Sequence, residues 1–120
     1  MRRARFVLPL FLVLLMVMAC ATFKMNTYKS LYSSGVAYDT AMQIVADLDG
    51  QGKITPEQKA EIVKMANVYY VAYHAAVDAF ETYIKTDAVE DKDKLAEALA
   101  DVAGKLGKIV DYVSRLKGGV

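Results

Sequence analysis

The strongest regularity in this chain is an apolar spacing near its carboxyl end. Seven apolar residues are separated alternately by four and three positions: Leu95, Leu99, Val102, Leu106, Ile109, Val113 and Leu116. An average spacing of about 3.5 residues is close to one helical turn, so all seven side chains lie on one side of a helix. The pattern predicts a helix that packs along this seam. We expect it to begin near Asp87 or Val89, because Asp87 and Glu90 have capping-box spacing.

A second helix is predicted from a start signal at Thr55. The stretch Thr55-Pro56-Glu57-Gln58 has the form of a capping box, with proline at the first helical position. The helix is expected to run to about Lys85 and to carry two apolar stripes. One consists of Ile62, Ala66, Tyr69, Tyr73, Ala76, Phe80 and Tyr83, and the other of Val63, Tyr70, Val77 and Ile84. Two stripes predict contacts with neighbours on two sides.

A first helix is predicted from about Asn26 to Leu48. Its apolar stripe consists of Tyr28, Leu31, Tyr38, Met42 and Val45. Ser33-Ser34-Gly35 interrupts that stripe and is expected to fray or kink the helix, because serine and glycine are poor helix formers. Connections near residues 49–55 and 86–88 are short, so neighbouring helices must run antiparallel. The sequence therefore predicts an all-α fold, an antiparallel three-helix bundle over residues 26–120.

The amino-terminal segment has the order of a secretory signal. Arg2, Arg3 and Arg5 precede an apolar run that begins at Phe6, and Cys20, the chain's one cysteine, follows that run. The run is about 14 residues long, whereas about 20 are needed to span a bilayer. The segment therefore predicts export and not a transmembrane anchor.

Val17-Met18-Ala19-Cys20 resembles the lipobox of bacterial lipoproteins. In that family the peptide before the cysteine is removed and the thiol carries a diacylglycerol. The resemblance implies that residues 1–19 are a signal peptide ending at Ala19, and that Cys20 is the acylated start of a short tether over residues 20–25. A second interpretation stays open, because Ala19-Cys20-Ala21 also fits the A-x-A site of an ordinary signal. Cleavage there would release a soluble secreted helical protein.

The lipoprotein resemblance also implies a location. A lipid on Cys20 would make the membrane a partner of the chain and would hold the bundle facing the periplasm. In many Gram-negative bacteria an aspartate directly after the cysteine retains lipoproteins in the inner membrane. Ala21 occupies that position here. The resemblance therefore implies the outer membrane.

The charge balance argues against a nucleic-acid partner. The chain has 15 basic and 14 acidic residues. Removal of a signal peptide that contains Arg2, Arg3 and Arg5 leaves 12 basic against 14 acidic residues, a net charge of −2. A nucleic-acid-binding protein needs a basic face that neutralises phosphates. We therefore expect no nucleic-acid partner.

Residues 47–58 resemble the calcium loop of an EF-hand. Asp47 and Asp49 occupy the first and third ligand positions, and Gly52 occupies the turn. Gln51 stands at the fifth position, where the family usually has aspartate or asparagine, and Gln58 at the twelfth, where it has a bidentate glutamate. We therefore expect no bound metal and no cofactor beyond the covalent lipid. A calcium-responsive binding module that uses Asp47 and Asp49 is kept as the alternative function.

A narrow strip of small residues lies beside the seam of the third helix. It consists of Ala96, Ala100, Ala103 and Gly107. Small side chains allow a second helix to approach closely, either inside the bundle or from a second copy of the chain or an envelope protein. The single histidine, His74, is predicted on a solvated face, and the tyrosines around Tyr69 are predicted to fill the core. With no catalytic motif in view, we expect a structural or protein-interaction role and no enzymatic activity.

Overall fold

The chain folds into three α-helices. The structure is a computed structural model that describes the backbone of residues 2–118 and the side chains of residues 22–118. Helix α1 covers Arg2–Gly50, α2 covers Pro56–Thr86 and α3 covers Val89–Lys117. The described backbone contains no β-strand. The predicted all-α three-helix bundle is confirmed.

Contacts divide the chain into two compact units, Met1–Ser30 and Leu31–Val120. In the first unit, residues 22–25 of the predicted tether are helical. There the Thr27 hydroxyl donates a hydrogen bond of 2.9 Å to the carbonyl oxygen of Phe23, one turn earlier. The second unit contains residues 31–50 of α1 together with α2 and α3, and the bundle is described within it.

Helix α2 begins as the sequence predicts. Thr55 is the N-cap, and its Oγ1 accepts a hydrogen bond of 3.1 Å from the backbone N–H of Gln58. The Gln58 side chain in turn accepts a bond of 2.9 Å from the backbone N–H of Thr55. Both halves of the capping box are formed, and Pro56 occupies the first turn. Such a cap contributes about 1 kcal/mol to helix stability.

The predicted capping box at Asp87 and Glu90 is wrong. Asp87 ends α2 instead, in the left-handed conformation with φ 54° and ψ 19°, and its N–H donates to the Tyr83 carbonyl at 2.8 Å. Aspartate tolerates this conformation better than most residues. The N-cap of α3 is Ala88, which makes no side-chain cap bond. The Thr86 hydroxyl accepts from the N–H of Ala88 at 3.3 Å and donates to the Asp91 carboxylate, which ties the two helices together.

Neighbouring helices run antiparallel. Ser34 of α1 contacts Tyr69 of α2, whereas Asp49, near the end of α1, contacts Lys59, near the start of α2. Along the surface between α2 and α3, Lys64 and Lys108 line one hollow, and Ala75 and Asp101 line the next, so α2 ascends in number as α3 descends. The expected topology of short, reversing connections is confirmed.

The core lies on the predicted seam of α3. Leu95, Val102, Ile109 and Val113 are all buried, with at most 3% of each side chain exposed. Val102, Ile109 and Val113 form one cluster with buried residues of α1 and α2, which are Leu31, Ala41, Tyr69, Ala72 and Ala76. Each side chain of valine size or larger contributes about 1.5–3 kcal/mol when fully buried. Packing of this seam is therefore the main source of stability.

Two further details of the sequence prediction differ from the structure. The stretch Ser33-Ser34-Gly35 does not fray, and helix α1 continues through it. In the second stripe of α2, Val77 packs against the core, but Val63, Tyr70 and Ile84 are 50–63% exposed, so the stripe does not form a second contact face. Helix α2 instead reaches both neighbours through one broad face. Apolar and aromatic surface is consequently left in solvent along α2.

Candidate functional site

The predicted lipid attachment lies outside the described side chains. Ala19 and Cys20 both precede residue 22, where the described side chains begin. Cleavage at Ala19 and acylation of Cys20 therefore stay predictions from the sequence. Within the part of the chain that the structure describes, none of the helices combines the length and the hydropathy that crossing a bilayer requires.

Asp47 and Asp49 lie in the last turn of α1. The backbone carbonyl of Asp47 accepts from the N–H of Gln51 at 3.1 Å, and the Asp49 carboxylate lies 3.1 Å from the Nζ of Lys59. Residues 47–50 are thus helical and do not form an open loop around a cation. No cluster of three metal-binding side chains occurs among the described residues. Calcium binding by these two aspartates stays an untested alternative.

The strip of small residues on α3 is exposed. Ala96, Ala100, Ala103 and Gly107 all face solvent, whereas the seam beside them is buried. A methyl group added at Gly107 would have no neighbour within 4 Å among the described atoms. The strip therefore does not pack against another helix inside the bundle, which was one of its two interpretations. The strip is an open helix surface, and we call it the small-residue face.

A cluster of aromatic rings forms where α1 crosses α2. Tyr38 of α1 stacks on Tyr69 of α2, with ring centroids 4.6 Å apart and planes 11° from parallel. Tyr73 lies 5.8 Å from Tyr69, and its hydroxyl donates a 3.4 Å hydrogen bond to the Leu31 carbonyl. An aromatic pair of this kind contributes about 0.5–1.5 kcal/mol beyond the area it buries. The prediction that tyrosines fill the core is confirmed for Tyr69, which is 4% exposed.

The Tyr69 hydroxyl is buried and has a single polar partner among the described contacts. It lies 2.9 Å from the Ser34 Oγ, and either atom is able to donate. Burial raises the pKa of the Tyr69 hydroxyl, and the bond to Ser34 opposes that rise in part. Nearby Tyr73, Tyr38 and Asp39 raise the pKa further. The hydroxyl is thus held in its neutral form, in surroundings that disfavour negative charge.

His74 lies at the outer edge of the ring cluster. It is exposed, as predicted, but its ring packs against Tyr70 at a centroid distance of 4.3 Å. The Tyr73 ring meets it edge-on at 6.4 Å. His74 therefore extends the aromatic surface outward.

These rings border a shallow cleft that the sequence does not predict. The cleft has a volume of about 240 Å³ and is lined by Gly35, Tyr38, Asp39, Tyr69, Tyr70, Tyr73 and His74. We call it the aromatic cleft. Tyr69, Tyr70 and Tyr73 form a cluster in the sequence, and His74 follows them on α2. Nothing in the sequence indicated that Asp39 lines this cleft, because only the register in which α1 packs on α2 brings it to these rings.

A second concave surface follows the groove between α2 and α3. Its floor includes the apolar side chains of Met65, Val68 and Ala72. Lys105 lies on its rim, 3.6 Å from the Asp101 carboxylate. The charges on this rim are thus partly balanced within α3.

Comparison with known proteins returns nothing for this chain: no protein-family model, no curated protein and no solved structure matches it.

Proposed function

We propose that this chain is a lipid-anchored bacterial envelope protein whose helical bundle has a structural or protein-interaction role. The observation that carries the interaction role is the small-residue face. Ala96, Ala100, Ala103 and Gly107 are exposed along one side of α3, although alanine and glycine on a helix favour close approach of another helix. Covering this face requires a helix from outside the bundle.

The anchor is supported by the amino-terminal sequence. Three arginines, an apolar run and Cys20 follow one another in the order of a lipoprotein signal. Each buried methylene of an acyl chain contributes about 0.8 kcal/mol, so two or more chains attach a protein stably to a leaflet. The bundle would then be concentrated at the periplasmic surface of a membrane. Ala21 favours the outer membrane under the sorting rule of Gram-negative lipoproteins.

The partner is a helix on a second copy of the chain or on another envelope protein. Close packing is favoured because the side chains at positions 100, 103 and 107 leave the α3 backbone accessible. Val110, which is 41% exposed, continues the same side of the helix with a larger apolar group. A partner that covers these positions would also remove this valine from water. An enzymatic role is not part of the proposal.

Intact mass spectrometry of the membrane-extracted protein tests the anchor. A chain that begins at Cys20 and carries acyl groups is expected, together with loss of the membrane-bound form when Cys20→Ser is made. The substitution removes the thiol that the lipid requires and changes little else. A chain beginning at Thr22 with no added mass would contradict the anchor and favour the secreted form.

Capture experiments with Gly107→Leu test the interaction role. We expect the full-length protein to self-associate or to retain an envelope protein, and we expect Gly107→Leu to reduce that association at least tenfold, because the new side chain blocks close approach. Gly104→Leu is the matched control. Gly104 is also exposed, has open space around it, and lies about 70° around the helix from the centre of the small-residue face, on the side away from the buried seam. Equal association in both variants and the parent would contradict the proposal.

A further inference from the structure

The aromatic cleft combines open ring surface with one carboxylate. Tyr70 is 63% exposed, and the His74 ring beside it is exposed as well. Among the described residues that line the cleft, Asp39 is the only acidic one, and none is a lysine or an arginine. The cleft therefore presents aromatic faces and a negative charge to the same volume.

Charge and ring geometry select the kind of group that fits. The face of an aromatic ring is electron-rich and attracts a cation placed over it. Asp39 adds a full negative charge at the side of α1, across from Tyr70 and His74 on α2. An anion in the cleft would be repelled by this carboxylate. The cleft thus favours a cationic group and disfavours an anionic one.

The shape of the cation follows from what the cleft offers. It is shallow, and its open wall is made of rings, so a flat group is able to lie against Tyr70. A guanidinium is planar, stacks on aromatic rings and gives up its hydration more easily than an ammonium. It also donates two parallel hydrogen bonds to a carboxylate such as that of Asp39.

We propose that the aromatic cleft binds the guanidinium group of an arginine side chain presented by a partner protein. This inference rests on the proposed interaction role and gives it a second contact point, on the α1 and α2 side of the bundle. The arginine stacks on Tyr70 and His74 and pairs with Asp39. Partners that carry an exposed arginine on a helix or loop are the class that this surface fits.

Nuclear magnetic resonance of the full-length protein in detergent micelles tests the cleft. The probe is N-acetyl-L-arginine amide, added at pH 7.5 to protein labelled at tyrosine and histidine. Saturable shifts of the Tyr70 and His74 ring signals are expected. Asp39→Asn and Tyr70→Leu are each expected to weaken the binding about fivefold, since each removes one of the two attractions. Tyr70 is exposed, so its replacement leaves the core untouched.

One control probe and one control variant define the outcome. The citrulline analogue has nearly the same shape as the arginine probe without its charge, and Asp78→Asn removes a carboxylate from α2 outside the cleft. Weak citrulline binding and parental affinity in Asp78→Asn support the proposal. Equal binding of citrulline, or parental affinity in Asp39→Asn, would overturn it. Tetramethylammonium binding as tightly as the arginine probe would overturn the assignment to guanidinium.

The outcomes of the two interaction tests are separable. The arginine titration reads a single cleft and needs no partner protein. If the parent protein does not bind the arginine probe but its association in capture experiments still falls in Gly107→Leu, the proposal for the cleft alone is rejected. Arginine binding without any association in capture experiments would reject the small-residue face and leave the cleft in place.

Discussion

Leu95→Ala is expected to lower the free energy of unfolding by about 3 kcal/mol, as large-to-small changes in well-packed cores do. The Leu95 side chain is 0% exposed and lies at the first position of the α3 seam, next to the connection from α2. Its truncation removes buried apolar surface and leaves a cavity that the surrounding helices fill only in part. Chemical denaturation followed by circular dichroism measures the change, because the fold is almost wholly helical.

Val63→Ala is the control for that measurement. Val63 is 53% exposed on α2, so the same kind of truncation removes little buried surface there. Alanine is also the better helix former, and the expected change is within about 0.5 kcal/mol of zero. A loss at Leu95 no larger than that at Val63 would mean that the seam of α3 does not carry the core.

Tyr69→Ala is expected to cost about 3–4 kcal/mol, the range for removal of a buried aromatic ring. The ring is 4% exposed and stacks on Tyr38, so its loss opens the contact between α1 and α2. Tyr69→Phe keeps the ring and removes the partner of Ser34 at 2.9 Å. Leaving that buried hydroxyl unpaired is expected to cost about 1–2 kcal/mol. Thermal and denaturant unfolding of both variants give the two values.

The same tyrosine is expected to make stability depend on alkaline pH. Burial raises the pKa of the Tyr69 hydroxyl above its ordinary value of 10.0. The folded state therefore holds this proton more tightly than the unfolded state, and the contribution is complete below the unfolded pKa. It is lost as the pH rises above about 10 and through the folded pKa. Between pH 9 and 11 the parent should lose more stability than Tyr69→Phe.

The neighbouring tyrosine provides the control for the loss of stability in Tyr69→Phe. Tyr70 is 63% exposed, so Tyr70→Phe is expected to change the free energy of unfolding by less than about 0.5 kcal/mol. A parent and a Tyr69→Phe variant with identical profiles would show that the Tyr69 hydroxyl does not contribute to the alkaline loss.

The parts of the fold that follow from local rules could be predicted from the sequence. The α3 seam has one dominant period, and the Thr55 cap depends on four adjacent residues. Asp87 was misassigned because its residue type suits both an N-cap and a left-handed helix end. Helix α1 passes through Ser34 because tertiary contact outweighs weak propensity there, since Ser34 is held by Tyr69, 35 positions away.

The aromatic cleft could be predicted only in part. Four of its residues cluster on α2, and their spacing is equally typical of a core stripe. The structure shows that one helix side divides between the two roles, with Tyr69 buried and Tyr70 exposed. Asp39 lines the same cleft because of the register in which α1 packs on α2. The apolar spacing within either helix does not determine that register. The small-residue face, in contrast, could be identified in the sequence as a strip. Whether it is exposed depends on how all three helices pack, which the sequence pattern does not determine.

The turn between α2 and α3 has a consequence for how the chain assembles. Only Asp87 and Ala88 separate the two helices, and Thr86 bonds to residues on the α3 side. So short a connection closes with little loss of chain entropy, and the contacts it brings together are close in sequence. This helical hairpin is therefore suited to form early and quickly. Under the proposed export, the chain would regain this hairpin soon after it crosses the membrane.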